Sequence, residues 1–301
     1  MKRLLKRLAA RLYFHYLHRP PHYLFKRVDE ISAANQAQQI LLRMRYEDLV
    51  HEKRRLPPFD DVEFSVYSQA GEDGILWYIF SLVGTTNKVV VEIGAGNGIE
   101  NNSANLIVNH GWKGFLFDAS PSRVRTAKEF YGAIRQTRIW PPTIQHAWVE
   151  PANVNEILSQ GGVVGPVDLL SLDIDGIDYW VWEALAVIDP RVVVVEFNNL
   201  WEAEDCLTVP NDPNFRAVYN SPHGADYSGA TLGAFVKLGA RKGYRLVGCQ
   251  RYGFNAFLVK NSVGEDLLPA VDPRSCLTHA FAVHARTVRH ESIKDKPWVK
   301  V

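Results

Sequence analysis

Glu92-Ile93-Gly94-Ala95-Gly96-Asn97-Gly98 is the stretch whose reading decides the fold. It closes an apolar run over residues 88–93 of β type, and the three glycines that follow lack the Cβ atoms that would bar a tight turn and keep a ligand away from the backbone. A nicotinamide fingerprint, GxGxxG, needs its last glycine three places beyond Gly96. That place is taken by Ile99, and the glycine stands at Gly98 instead. The pattern is ExGxGxG, which sets the turn apart from a pyrophosphate-binding one.

Outward from this turn, apolar β-type runs alternate with stretches of helical spacing. Strands are expected over residues 88–93, 114–118, 143–149, 167–174 and 191–197, with helices over 103–110, 122–131, 154–160 and 179–188 between them. Such alternation predicts an α/β fold, a doubly wound and mostly parallel sheet covered by helices. Further on, a helix over 231–242 precedes strands over 244–249 and 255–260, which are joined too tightly for a parallel crossover. The last strand is therefore expected to be antiparallel, which distinguishes the Rossmann-like class I methyltransferase sheet from the plain dinucleotide-binding one.

The ExGxGxG spacing favours S-adenosylmethionine over NAD. A sulfonium cofactor has no pyrophosphate to seat, so its site needs one acceptor for the cationic amino-acid end and another for the ribose. Glu92 and Asp118 are placed for these tasks, Asp118 lying at the end of the second strand, twenty residues past Gly98. Gly94, Ala95, Gly96, Asn97, Gly98 and Ala119 complete the expected cofactor shell. Ala147, Trp148 and Glu150 fall where an adenine would lie, and Trp148 reads either as rim or core aromatic or as a stacking platform.

The fourth strand ends Ser171-Leu172-Asp173-Ile174-Asp175-Gly176-Ile177-Asp178, and a period of two puts Asp173 and Asp175 on one face. The fifth ends Glu196-Phe197-Asn198-Asn199. Two readings stand side by side. In one, Asp175, Glu196 and Asn198 hold Mg²⁺ through oxygen ligands and the ion lowers the pKa of an acceptor hydroxyl. In the other, Asp173 meets the cofactor's amino group, Asp175 or Asp178 caps the following helix, and one side chain serves as general base. His223, in the Pro- and Gly-rich stretch 208–229 where an acceptor pocket is usually built, is a further candidate base beside Asp175 and Asp178.

The 301 residues, 47% hydrophobic and 22% charged, suffice for one large core, and no repeat or low-complexity tract interrupts them. Residues 1–58 carry thirteen Lys and Arg against five Asp and Glu, a net +8 against the whole chain's +1. Because the excess sits on a terminal extension rather than over a folded face, nucleic acid is not expected as a partner. Leu4, Leu5, Leu8 and Leu12, interleaved with Lys2, Lys6, Arg7 and Arg11, describe a basic amphipathic helix over residues 1–18, fitted either to an anionic membrane surface or to its own domain or a partner subunit. Pro20-Pro21 ends it. A second helix over residues 29–53 and a linker at 54–58 lead to the main domain, 59–262, with the tail 263–301 unassigned. No run spans a bilayer, and Cys206, Cys249 and Cys276 form no CxxC pair, so a cytoplasmic protein without zinc knuckle or disulfide framework is expected.

Residues 89–98, the stretch Gly111-Trp112-Lys113-Gly114-Phe115-Leu116-Phe117-Asp118, and residues 168–176 resemble the FkbM-like methyltransferases, over about residues 68–260. The resemblance implies methyl transfer from S-adenosylmethionine to a hydroxyl of a sugar, glycolipid, polysaccharide or related natural product. It assigns Glu92, Gly94, Gly96 and Asp118 to the cofactor and Asp173 to the cofactor-proximal end of strand four. Many members read Asp-Val-Glu-Gly where this chain has Asp173-Ile174-Asp175-Gly176, which implies a different acceptor pocket. The rival reading is a catalytically silent methyltransferase-like binding or scaffold protein.

Overall fold

The computed structural model describes residues 22–217, 219–221 and 224–301, and the side chains from residue 35 onward except those of 218–225. The expected terminal helix at 1–18 and the candidate base His223 lie outside the described residues. In chain order the elements are α1 (His22–His51), α2 (Glu72–Val83), β1 (Val89–Ile93), α3 (Ala104–His110), β2 (Lys113–Asp118), α4 (Pro121–Ala133), β3 (Thr143–His146), α5 (Val154–Gln160), β4 (Gly165–Leu172), α6 (Asp178–Ala184), β5 (Ile188–Glu196), β6 (Leu207–Thr208), β7 (Tyr219–Ser221), β8 (Gly224–Ala225), α7 (Leu232–Lys242), β9 (Tyr244–Cys249), β10 (Asn255–Lys260), α8 (Ala280–Arg289) and β11 (Val299–Lys300).

Seven strands form one sheet in the order β3-β2-β1-β4-β5-β10-β9. The first five are parallel, and β10 runs antiparallel to both β5 and β9. This is the expected doubly wound sheet with an inserted antiparallel strand, the Rossmann-like arrangement of class I methyltransferases. Both faces of the parallel strands are buried, which is why they read as unbroken apolar runs rather than alternating ones. On one face Val91, Ile93, Leu170, Leu172, Val193 and Val195 pack with Leu158, Trp182 and Phe235 from α5, α6 and α7. On the other, Val90, Leu116, Leu169, Val192 and Val194 meet Ile75 and Ile79 of α2 and Leu106 of α3.

The strand expected over 143–149 ends at His146 and β5 begins at Ile188 rather than at 191, and two further boundaries differ from the sequence expectation for identifiable reasons. The strand expected over 167–174 stops at Leu172, because the Asp178 carboxylate accepts the N–H groups of Ile174 (2.7 Å) and Gly176 (2.9 Å) and pulls the chain off the sheet. Asp175 accordingly has φ 54°, so Asp173 and Asp175 are not set by strand alternation. The helix expected to reach Ile188 ends at Ala184. There the Asn155 side chain donates to the Ala184 carbonyl and accepts from Ala186 N and Val187 N, which frees residues from Ile188 onward to extend β5.

Residues of the basic extension join the core. Tyr46 is buried against Tyr78 of α2, with ring centroids 4.8 Å apart, and the Trp77 indole donates to the Gln39 carbonyl at 2.7 Å. The tail left unassigned by the sequence also folds: α8 buries Ala282 and Ala285, and β11 pairs with β6. All three cysteines are free, although Cys249 and Cys276 are buried in the same core cluster, which their separation in sequence conceals. Among the described residues no helix is long and apolar enough to cross a membrane.

Candidate functional site

A cavity of about 680 Å³ opens at the carboxyl ends of β1, β2 and β4, the edge at which ligands gather in open α/β sheets. Its floor is the glycine turn. Gly94, Gly96 and Gly98 all have left-handed backbones, with φ of 87°, 57° and 72°. A Cβ at Gly94 would lie 1.6 Å from the Asp173 carbonyl oxygen, whereas one at Gly96 would meet nothing within 4 Å. Gly94 thus lets β1 and β4 approach, and Gly96 leaves the cavity open. The N–H groups of Gly94 and Ala95 both donate to the Phe117 carbonyl, at 2.9 and 3.0 Å, which ties the turn to β2.

At the end of β2, the Asp118 carboxylate accepts Gly96 N at 2.8 Å through one oxygen and Ser120 N at 2.7 Å through the other. Each oxygen keeps a lone pair for a further donor. Of the residues expected around the cofactor, Gly94, Gly96, Asn97, Asp118, Ala119 and Asp173 line the cavity, while Glu92, Ala95 and Gly98 do not. Ala95 is buried beneath the turn, and Gly98 packs on α4, where the Tyr131 hydroxyl donates to its carbonyl at 2.6 Å.

Glu92 departs from its expected role because it points from the opposite face of β1, toward the start of α3. Its carboxylate accepts Asn102 N (3.0 Å), Ser103 N (3.1 Å) and the Ser103 hydroxyl, and the Ser171 hydroxyl lies 3.3 Å away. It therefore holds the loop between the glycine turn and α3. Burial pushes its pKa up to about 7 despite these hydrogen bonds.

Asp173 lies opposite Glu196 on the neighbouring strand end, next to the paired Leu172 and Val195, and their carboxyl oxygens come within 4.8 Å of one another. Two carboxylates this close need a shared proton; burial first, then the nearby acids, raises both pKa values. Asp173, Asp175 and Glu196 can each offer an oxygen within 4.8 Å of the others. The Asn198 side chain is engaged by backbone groups. Its amide donates to the carbonyls of Asp226 (2.9 Å) and Ser228 (3.1 Å), and its oxygen accepts Leu200 N (3.1 Å), so it pins the loop after β8. Asp178 likewise serves the turn at 174–176 and does not face the cavity; burial raises its pKa to about 6.

The outer wall comes from residues that pattern reading passed over: Gln69, Arg123, Phe215 and Arg216. Arg216 stacks its guanidinium 4.0 Å above the Trp148 ring, which stays 43% exposed at the rim. The Ser68–Gly74 segment brings Gln69 in because the buried Asp73 carboxylate accepts Val66, Tyr67 and Ser68 N–H groups at 2.6–2.9 Å. The Ser and Asp spacing there was a usable signal for a capped helix start; nothing local marked Arg216.

Glu92, Asp73 and Asp178 share a consequence for stability. Burial raises their pKa values from 4.5, 3.8 and 3.8 to about 7, 6 and 6. The folded chain therefore holds protons more tightly than the unfolded one, and the associated stability is complete below about pH 4 and is lost as pH rises through about 6 to 7. Thermal melts of the ligand-free protein should show Tm falling between pH 5.5 and 8. Glu92→Gln should flatten that slope by on the order of 2 kcal/mol over the range; a Tm that climbs with pH in both proteins would contradict it.

No known family's model matches the chain, and no curated protein sequence matches it significantly. Solved structures do. The O-methyltransferase from Bacillus cereus, determined in complex with SAH, is 14% identical, with a TM-score of 0.42 over 84% of this chain and 97% of that one. An O-methyltransferase family protein from Burkholderia thailandensis is 12% identical, with a TM-score of 0.40 over 76% and 72%. The ribosomal protein L11 methylase from Lactobacillus delbrueckii subsp. bulgaricus is 14% identical, with a TM-score of 0.33 over 57% and 70%. These likenesses accompany the fold assignment, which rests on the strand order and on the single antiparallel strand β10.

Proposed function

We propose that the chain is an S-adenosylmethionine-dependent O-methyltransferase acting on a hydroxyl of a sugar, glycolipid, polysaccharide or related natural product. The observation that carries the reading is the open turn at Gly96 beneath a cavity whose next wall is Asp118, a carboxylate already oriented by two backbone N–H groups. The resemblance of residues 89–98, 111–118 and 168–176 to FkbM-like enzymes supports the choice of donor and of a hydroxyl acceptor.

S-adenosylmethionine, when bound, would supply an electrophilic methyl carbon to an acceptor oxygen, the methyl–sulfur bond breaking as the oxygen–carbon bond forms and S-adenosylhomocysteine leaving. Asp118 would accept hydrogen bonds from the ribose hydroxyls and Asp173 would receive the ammonium of the amino-acid end, with Ala147 and Trp148 left for the adenine. The cavity walls align the acceptor oxygen with the methyl carbon, and alignment supplies most of the rate. Asp175, at the cavity surface, is the side chain we assign to take the acceptor's proton. In the alternative reading the oxygen set of Asp173, Asp175 and Glu196 would instead hold Mg²⁺, which would lower the hydroxyl's pKa in place of a side-chain base. The basic segment 1–18 would hold the enzyme at an anionic membrane surface.

Isothermal titration tests the reading. Wild-type protein is expected to bind S-adenosylmethionine and S-adenosylhomocysteine, and Asp118→Ala to bind each at least tenfold more weakly, since charge-assisted hydrogen bonds contribute about 1.5–3 kcal/mol. Absence of binding by the wild type would overturn the reading. Methyl transfer undiminished by a chelator would remove the metal and leave the rest standing.

A further inference from the structure

The edge of the sheet opposite the cavity carries a feature that methyl transfer does not use. Between α4 and β3, Ile139 is 86% and Trp140 72% exposed, the two most exposed large hydrophobic side chains among the described residues. A loop that merely hung loose would lack internal support, but this one is braced on both sides. Ile134 and Thr137 are buried, the Thr137 hydroxyl donates to the Tyr131 carbonyl at 2.7 Å, and Trp140 N donates to the Thr137 carbonyl at 3.0 Å. Beyond the pair, Pro142 is buried against Gly114. The structure thus holds an aliphatic and an indole side chain out into solvent at a fixed place.

The surroundings are cationic. Arg135 and Arg138 are exposed beside the pair, and no Asp or Glu occurs between Phe130 and Pro142. The Lys113 ammonium lies 5.2 Å from the Trp140 ring centroid, and Lys113 N donates to the Lys88 carbonyl at 2.8 Å, which puts a second lysine at this edge. A protruding Trp–Ile pair ringed by Lys and Arg matches the interfacial zone of an anionic bilayer, where indole rings settle at headgroup depth and basic side chains meet acidic lipids.

We propose that this face, Ile139 and Trp140 with Arg135, Arg138, Lys113 and Lys88, docks on an anionic lipid surface. It belongs to the folded body and is separate in sequence from the basic segment 1–18. The strands between it and the cavity are five or six residues long in β1 and β2, about 20 Å, so a docked molecule turns its cavity away from the bilayer. The acceptor is then reached from the aqueous side.

Flotation with vesicles of phosphatidylcholine and phosphatidylserine, using the full chain, tests this. Each basic residue at such a surface raises partition roughly fivefold. Arg135→Glu/Arg138→Glu is therefore expected to lower partition by at least about 25-fold, and Ile139→Ser/Trp140→Ser by at least about tenfold. Brominated lipid should quench the intrinsic fluorescence of the wild type, and Trp140→Phe should abolish the quenching. Residues 1–21 contain no tryptophan, so the terminus cannot produce that signal.

Unchanged partition in both double variants would overturn the proposal. So would quenching that survives Trp140→Phe but is lost in Trp148→Phe, which would put the cavity edge on the lipid. A concentration-dependent dimer that both double variants abolish, with no vesicle binding, would assign the face to a second copy and overturn it too. Titration of the same variants with S-adenosylmethionine should match wild type, which keeps this outcome separate from the methyl-transfer reading.

Discussion

Gly96→Arg is expected to lower affinity for S-adenosylmethionine and S-adenosylhomocysteine by more than 100-fold while leaving a folded protein. Gly96 has φ 57° and space around it where a Cβ would stand. Any side chain there costs about 1–2 kcal/mol of left-handed backbone strain, a tolerable fraction of a domain's stability. An arginine, however, would extend into the cavity that Gly96 lines and place a guanidinium where a sulfonium is to sit. Gly96→Ala separates the two effects, because it carries the strain without the bulk; it should bind far better than Gly96→Arg. Titration calorimetry reads affinity and circular dichroism reads the fold. Wild-type affinity in a folded Gly96→Arg protein would mean that the ligand does not lie on this turn.

At Gly94 the same kind of substitution should act on stability instead. The Cβ of Gly94→Ala would lie 1.6 Å from the Asp173 carbonyl oxygen, a backbone atom, and φ is 87°. Relief requires β1 and β4 to separate just where Asp173 N donates to the Ile93 carbonyl at 3.0 Å. Overpacking of 1–3 kcal/mol and backbone strain of 1–2 kcal/mol together suggest a loss of about 3 kcal/mol or more, a fall in Tm of roughly 6 °C or more. Denaturant unfolding gives the figure directly. A loss below about 1 kcal/mol would show that the turn relaxes and that the close approach of the two strands is not what requires glycine here.

The contrast between these adjacent positions is instructive, because both glycines look alike in the sequence. Their shared need, a left-handed backbone after a strand, is a local property and could be read from the spacing. Their different consequences depend on what lies across the turn, Asp173 in one case and the cavity in the other. Acidic residues behave in the same way. Asp118 could be placed by counting from the turn, since its strand follows β1 in sequence and neighbours it in the sheet. Glu92 stood beside the same turn and read as a ligand-binding acid, yet the pleat aims it at Asn102 and Ser103. Asp178 and Asn198 read as catalytic or metal-binding groups, but each is consumed by backbone N–H or carbonyl groups of nearby loops.

By itself the sequence determined the parallel sheet, the antiparallel strand joined by a tight turn, and the glycine turn at Gly94–Gly98. Each rests on spacing within a few residues, where steric limits on φ and the periods of helix and strand act directly. Only the tertiary structure decided which polar groups face the cavity. A carboxylate's role is set by the donors within about 3 Å of it, and some of these come from distant elements, as Gly96 comes to Asp118 from 22 residues away and Ser171 to Glu92 from 79. The same holds for Arg216 above Trp148, brought together only by the folding of the loop before β7 over the carboxyl edge of the sheet.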